Sequence, residues 1–327
     1  MRICTDLFSS TNRFQLLKKS LLKNFYKNYP GIKIIDINSQ YFKMNKSFFD
    51  IYWGNRLTVN DALQLPNLKW IHYAGTGMSP ELLRYCKKKK IKVTNTRNIF
   101  DNAVAATIIA YIFMLGRGIH YSSNLRHKKN LSRGFYNIFT PNIQNIFSQK
   151  ILFVGYGNIA KKVSNVCRSA DMEIYAIKSK LPLKKKKNIK FFKISNLKNI
   201  VKKVDYIINL LPNTKLTKNI FDKKIFSQVK KNAIFINAGR GDTVNENHLI
   251  DAIRKKKLLA AGLDVVKNEP IKNNSKILKY ENIFVTPHIA GITNEFWDHQ
   301  FKLFANNLKK YTKSYKLINL IDLKKGY

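Results

Sequence analysis

Cysteine is scarce. Cys4, Cys86 and Cys167 are the only three in 327 residues, odd in number and far apart. That excludes a disulfide framework and a CxxC-type metal site, and it points to a reducing compartment. No metal is expected. A leader is not legible either: Met1-Arg2-Ile3-Cys4-Thr5-Asp6 has no apolar signal core. Long hydrophobic runs are missing. The longest, Ala103 to Gly116, covers 14 residues and contains Thr107, whereas about 18–20 are needed to cross a bilayer. It reads as a buried helix. A soluble, cytoplasmic protein without a membrane partner is expected, and no repeat of solenoid period is seen.

Acid is in short supply and base is not: 19 Asp and Glu stand against 60 Lys and Arg, a net charge of +41. Such a surface attracts polyanions. Yet the basic clusters Lys87–Lys90, Lys184–Lys187 and Lys255–Lys257 are short and widely spaced, and no aromatic-interleaved basic motif accompanies them. Compositional drift in a chain rich in Lys, Asn, Ile, Tyr and Phe is the favoured reading. No specific nucleic-acid partner is expected. Hydrophobic residues make up 45% and aromatics 12%, which is enough for a packed core.

The apolar pattern alternates between strand and helix. Arg2–Leu7, Ile32–Ile37, Asp50–Trp53, Leu68–Ala74 and Ile91–Asn95 read as strands, with Gln15–Tyr29 and Pro80–Lys90 as helices. Asn102–Arg117 reads as one long buried helix capped by Asp101. From His120 to Gln149 a helix and an irregular connection are expected. A second series has strands at Lys150–Val154, Glu173–Ile177, Asp205–Leu211, Ala233–Asn237, Ala260–Val265 and Asn282–Thr286. Helices are expected at Asn158–Ala170, Leu197–Lys203, Thr217–Val229 and Glu246–Lys255, and a last one at Asn294–Lys313. The class is α/β, with parallel covered sheets, and the second series has the layout of a doubly wound nucleotide-binding sheet.

Gly155-Tyr156-Gly157-Asn158-Ile159-Ala160 follows one of those strands and opens a helix, the context that a G-x-G-x-x-G/A loop requires. Gly155 permits the tight turn. Gly157 lets backbone approach a pyrophosphate, and small Ala160 allows close helix–strand contact. The anion then sits at the helix N-terminus. The next strand should end in an acid for a ribose diol. It ends instead in Ile177-Lys178-Ser179-Lys180. Two ammonium groups flanking a hydroxyl suit a 2′-phosphate, which favours NADP(H) over NAD(H).

Three later segments each put a functional side chain at a strand end. They are Asn237-Ala238-Gly239-Arg240-Gly241-Asp242, Gly262 to Pro270 with Glu269, and Val285-Thr286-Pro287-His288-Ile289-Ala290-Gly291. Ligands bind at strand carboxyl ends in open parallel sheets. Arg240 can fork onto a carboxylate and polarise a carbonyl. His288 can deliver a proton to the carbonyl oxygen. Glu269, hydrogen-bonded to the imidazole, favours its protonated form and fixes its tautomer.

On these residues the chain resembles the D-isomer-specific 2-hydroxyacid dehydrogenase family. The likeness also takes in Asn67–Gly77, Val93–Thr96, Leu211-Pro212-Asn213-Thr214, Asn319–Asp322 and Gly326-Tyr327, and so covers nearly the whole chain. It implies two parallel-sheet domains: a Rossmann-type domain, residues 99–291, inserted in a flavodoxin-like substrate domain, residues 1–98 and 292–327. It implies that backbone N–H groups of Gly75, Thr76 and Gly77 bind the substrate carboxylate. It implies that Asp264 lies near the nicotinamide, that Leu211, Pro212 and Thr214 line the cofactor cleft, and that Ala238, Gly239 and Gly291 belong to the same cofactor site. It further implies a homodimer built through Asp101 to about Gln149. The substrate would be a small 2-oxo or 2-hydroxy acid. Departures are Ala106 after Val104-Ala105, Ser79 after Met78, and Lys178 at the ribose position. The basic-Ser-basic strand end is similar to that of the NADP-using glyoxylate and hydroxypyruvate reductases of the family.

Other residues have blander readings. His72 is a core or cleft residue. His120, His127, His248 and His299 are surface or capping groups. Trp53, Trp70 and Trp297 pack, with Trp297 near enough in sequence to His288 to reach a substrate pocket. Two other functions compete: a catalytically idle dinucleotide-binding scaffold of the corepressor kind, against which Arg240, Glu269 and His288 stand, and a polyanion binder. A short phosphoglycerate dehydrogenase is a further alternative within the family, with no appended regulatory domain expected.

Overall fold

A computed structural model describes residues 1–8, 19–122, 143–184 and 188–323. The chain divides into two compact units, Met1–Phe100 with Thr293–Tyr327, and Asp101–Ile292. Where the sequence put the crossings after residues 98 and 291, the chain passes between units after Phe100 and after Ile292.

The smaller unit holds a five-stranded parallel sheet of β1 (Arg2–Thr5), β2 (Lys33–Asp36), β3 (Ile51–Gly54), β4 (Trp70–Tyr73) and β5 (Lys92–Asn95). Its order is β2-β1-β3-β4-β5, the flavodoxin-like arrangement. Side chains alternate between two cores, one on each face. On one face the helix Phe296–Thr312 lays Phe304 flat on Trp53, with centroids 4.0 Å apart. The other face is filled by Tyr52, Ile71, Val93 and the helix Pro80–Lys89, which Ser79 caps by accepting from the Leu82 N–H at 3.2 Å. Trp297 is buried in the first of these cores, against Phe296. It is a packing residue of this unit, and the expected reach toward a substrate pocket is corrected accordingly.

The larger unit holds seven parallel strands: β6 (Lys150–Val154), β7 (Glu173–Ile177), β8 (Ile189–Phe192), β9 (Tyr206–Asn209), β10 (Ala233–Asn237), β11 (Leu258–Leu263) and β12 (Ile283–Val285). The order is β12-β11-β10-β9-β6-β7-β8. It reverses between β6 and β9, the switch point of a doubly wound sheet. Both faces are covered, so the central strands read as unbroken apolar runs rather than alternating ones.

The helix Asp101–Gly116 lies on one face with the helix Asn158–Ser169. It presses close enough to β11 that a Cβ on Gly262 would meet the Tyr111 ring at 3.0 Å. Asp101 is its first residue rather than its cap. His120, expected at the surface, is buried under the Tyr121 ring at 4.0 Å. His127, Gly326 and most of the connection expected to build a dimer contact lie outside the described residues. Burial pushes the cysteine thiols up, those of Cys86 and Cys167 to about 12, so none offers a reactive thiolate.

Candidate active site

Three turns at neighbouring strand ends of the larger unit make up the candidate site. β9 and β10 both end in a fully buried asparagine. Asn209 Nδ2 donates to Asn237 Oδ1 at 2.9 Å and to Thr243 Oγ1 at 2.6 Å, while its own Oδ1 accepts from the Leu211 N–H at 3.2 Å. Asn237 Oδ1 also accepts from the Gly239 N–H at 3.2 Å. Thr243 Oγ1 in turn donates to Arg240 O at 2.6 Å. One buried amide network thus fixes both the Leu210–Thr214 turn and the Gly239–Arg240 turn.

Two glycines let these turns touch. A Cβ on Gly239 would sit 2.7 Å from Leu211 O. A Cβ on Gly241 would fall inside the backbone of Val266 and Lys267, so the loop of Arg240 lies directly against the loop that leads to Glu269.

His288 sits on a third turn, in the left-handed region at φ 57°. Asp264, at the end of β11, builds this turn. Its carboxylate accepts from the Thr286 hydroxyl at 2.6 Å and from the N–H groups of Ile289 and Ala290 at 3.0 and 3.1 Å. Its backbone oxygen accepts from the His288 N–H at 2.9 Å. Thr286 Oγ1 lies 2.6 Å from the Tyr111 hydroxyl, and since its own proton goes to Asp264 it accepts that of Tyr111.

Glu269 and His288 meet. Nδ1 of His288 lies 2.7 Å from Oε2 of Glu269, and Oε1 of Glu269 accepts from the Val266 N–H at 3.0 Å. The carboxylate is only an acceptor, so Nδ1 carries the proton, and Nε2 takes no part in this pair on a half-exposed side chain. The hydrogen bond to Glu269 holds the imidazole above the usual histidine range, against burial and the positive Arg240, with the charges of Glu269 and Asp264 assisting. Burial alone would raise the Glu269 carboxyl. The hydrogen bond and charge of His288, the Val266 N–H and Arg240 outweigh it, and the carboxyl is lowered. Arg240, half-buried, turns Nη1 onto Gly239 O at 2.7 Å. The structure thus brings Glu269 and His288 into contact and places Arg240 within electrostatic reach of both.

The glycine-rich turn stands at the end of β6, beside the switch point. Gly155 has φ 99° and a Cβ there would crowd Leu210 O at 3.0 Å. Gly157, at the N-terminus of the helix Asn158–Ser169, would meet nothing within 4 Å. The protein gives one glycine a packing reason and the other none, which fits a turn shaped to receive a pyrophosphate. Ala160 is fully buried against β6, as close packing demands. Tyr156 turns its ring into the core against Phe153 and Phe191, so only its backbone is left for a ligand. Ile159 is partly buried against the same core, and Asn158 begins the helix.

Lys178, Ser179 and Lys180 are exposed at the end of β7, where the Gly155 N–H donates to Ile177 O at 3.2 Å. Leu211 is half-buried, Pro212 exposed, and Thr214 closes its turn through the Thr217 hydroxyl at 2.8 Å. Ala238 is half-buried after β10, and Gly291 half-buried after the Asp264-anchored turn. In the smaller unit, Gly75, Thr76 and Gly77 follow β4, the last two exposed.

The supporting residues Asn209, Asn237, Thr243 and Tyr111 escaped the sequence reading. The signal was present in part, since two candidate strands each carry an asparagine at or near the end. Among the described residues no group of His, Cys, Asp and Glu could hold a metal, and no helix is long and apolar enough to cross a membrane.

A doubly wound sheet, a glycine turn at its switch point, and a carboxylate-backed imidazole at neighbouring strand ends define a dinucleotide-dependent oxidoreductase. The model of the D-isomer specific 2-hydroxyacid dehydrogenase NAD-binding domain matches residues 109–290. The chain is 30% identical over 258 residues to the Probable 2-ketogluconate reductase of Dictyostelium discoideum, covering 77% of this chain and 75% of that one. It is 25% identical to the hydroxypyruvate reductase of Blautia hydrogenotrophica, over 81% and 82% of the two chains. A crystal structure of the NADPH-dependent glyoxylate/hydroxypyruvate reductase of Sinorhizobium meliloti aligns over 100% of this chain and 99% of that one, with TM-score 0.80 and 18% identity. The chain belongs to the D-isomer-specific 2-hydroxyacid dehydrogenase family. It is an oxidoreductase of CH–OH donors that uses a nicotinamide dinucleotide.

Proposed function

We propose that the protein reduces a small 2-oxo acid to the D-2-hydroxy acid, with His288 as proton donor and Arg240 orienting the substrate. The observation that carries this reading is the 2.7 Å pair of His288 Nδ1 and Glu269, with Arg240 within electrostatic reach of both. The bound nicotinamide supplies the hydride. His288, held as imidazolium by Glu269, gives its Nε2 proton to the forming alkoxide. The Arg240 guanidinium pairs with carboxylate and carbonyl oxygen and favours the charge that develops there. Backbone N–H groups of Gly75, Thr76 and Gly77 take the carboxylate.

Gly155, Gly157, Asn158 and Ile159 form the pyrophosphate turn. Leu211, Pro212, Thr214, Ala238, Gly239, Asp264 and Gly291 border the dinucleotide. Lys178, Ser179 and Lys180 favour NADP(H) through the 2′-phosphate, because exposed ammonium groups and no carboxylate stand at that strand end. Buried, unreactive thiols suit a reducing, cytoplasmic setting. A homodimer built through the helix Asp101–Gly116 and the chain after it completes the assignment.

The test is a panel of 2-oxo acids, including glyoxylate, hydroxypyruvate and 3-phosphohydroxypyruvate, run with NADPH and NADH. Turnover of at least one with a D product is expected, with NADPH preferred. No turnover with either cofactor refutes the reductase reading, and a tenfold or greater preference for NADH refutes the cofactor preference.

A further inference from the structure

The Gly75–Gly77 turn of the smaller unit is gripped by its carbonyls. Ala74 O accepts from Gln300 Nε2 at 2.8 Å. Gly75 O accepts from the Thr96 N–H at 3.1 Å. Thr76 O accepts from Asn95 Nδ2 at 2.9 Å. Three successive peptide oxygens are therefore drawn to the interior, one by the helix Phe296–Thr312 and two by the end of β5.

A trans peptide is planar, so its N–H points opposite to its C=O. The Glu269–Pro270 bond is the one cis peptide among the described residues. Drawing in the oxygens of residues 74, 75 and 76 thus directs the N–H groups of 75, 76 and 77 the other way. That side is the exposed one at Thr76 and Gly77. Successive N–H groups on one side of a turn make an anion receptor.

We propose that Gln300 and Asn95 are positioning residues that hold this turn as the receptor for the substrate carboxylate; the proposal rests on the reductase reading above. Neither touches the substrate. Each acts by occupying a carbonyl that would otherwise be free to rotate its peptide. Their chemistry fits the task. Gln300 is fully buried and Asn95 is 4% exposed. An amide can donate to a carbonyl there without carrying a charge, whereas Lys or Arg would bury one.

Gln300 does this at a cost to itself, because its Oε1 is buried with no partner among the described residues. A side chain kept only for packing would be apolar at this place between Trp297 and Phe304. The contact also gives the returning C-terminal segment a catalytic consequence, since it joins residues 226 positions apart in sequence.

The probe is oxamate, an unreactive carboxylate amide shaped like a 2-oxo acid, titrated into the protein saturated with reduced dinucleotide. Wild type is compared with Gln300→Met and Asn95→Asp, each similar in size and lacking the donor. Oxamate affinity should fall by about tenfold or more in each variant. Dinucleotide affinity should be unchanged, and KM for glyoxylate should rise more than kcat falls. Unchanged oxamate affinity in folded Gln300→Met and Asn95→Asp overturns the proposal, as does a drop in Tm with no change in affinity, which is the mark of a merely structural role. If wild type binds oxamate yet reduces nothing, the reductase reading falls and the oxamate comparison still decides the positioning role. If wild type binds no oxamate, the receptor itself is refuted.

Discussion

At the scale of single residues, the proposed reduction makes the imidazole–carboxylate pair the group on which rate and pH dependence should turn. Removing the proton donor in His288→Ala, or the guanidinium in Arg240→Ala, should lower kcat/KM for the best 2-oxo acid by at least about 10³, on the order of 4 kcal/mol of transition-state stabilisation. Steady-state kinetics on folded variants measures this, and near-wild-type activity in either would overturn the assignment. The direction of the pH dependence follows from the raised His288 and lowered Glu269. With His288 as the proposed proton donor, reduction consumes the imidazolium, so activity should be full below the His288 pKa and be lost as pH rises through it, above the ordinary value of 6.5. Glu269→Gln deletes the negative charge that holds the proton and leaves only a neutral amide oxygen to accept from Nδ1, so the alkaline limb of kcat/KM should move to lower pH. A profile that does not move would show that Glu269 does not support the imidazole. His72 adds nothing to this limb, because complete burial lowers its imidazole to about 3 and it is neutral throughout.

Among elements, glycines separate what the fold needs from what a ligand needs. Gly157 faces no protein atom within 4 Å, whereas a Cβ on Gly241 would collide with Val266. Gly157→Ala should therefore leave Tm unchanged and weaken reduced-dinucleotide binding, read by fluorescence titration. Gly241→Ala should lower Tm and, by pushing the Arg240 loop off the Glu269 loop, lower kcat/KM as well. Equal effects of the two on Tm would contradict this division.

The same physics explains what the sequence showed. β6, β7, β10 and the long helix were legible because buried runs bounded by turn residues are hard to misread. β8 was not, because Ile189–Phe192 is a half-exposed edge strand that follows a lysine run. The helix expected over Thr217–Val229 shrinks to Lys223–Phe226. Asn219 turns left-handed at φ 52°, Phe221 bridges to Val244, and Asp222 caps a new start. Tertiary pairing overrode local propensity there. In the site, Arg240, Glu269 and His288 stood out because each lies beside Gly or Pro in the loop that follows a strand. Asn209, Asn237 and Gln300 were hidden because buried amides act through contacts between segments far apart in sequence, which no local pattern encodes.

For the whole molecule, the charge of +41 would meet, in the proposed reaction, a 2-oxo acid and a dinucleotide that are both anions. A surface of one sign raises the local concentration of oppositely charged ligands and speeds their encounter, and salt screens it over a Debye length of about 8 Å at physiological ionic strength. Steering acts on encounter rather than on the bound state. Added salt should accordingly lower kcat/KM for the 2-oxo acid, mainly through KM, while kcat at saturation holds. A dedicated polyanion binder behaves differently, retaining duplex DNA at physiological salt with a steep log–log salt slope. Salt-dependent kcat/KM together with no DNA retention is the outcome expected here. DNA retained at physiological salt would instead give the lysines a partner. Kinetics indifferent to salt would show that the charge lies too far from the approach to the strand ends to act on the reaction.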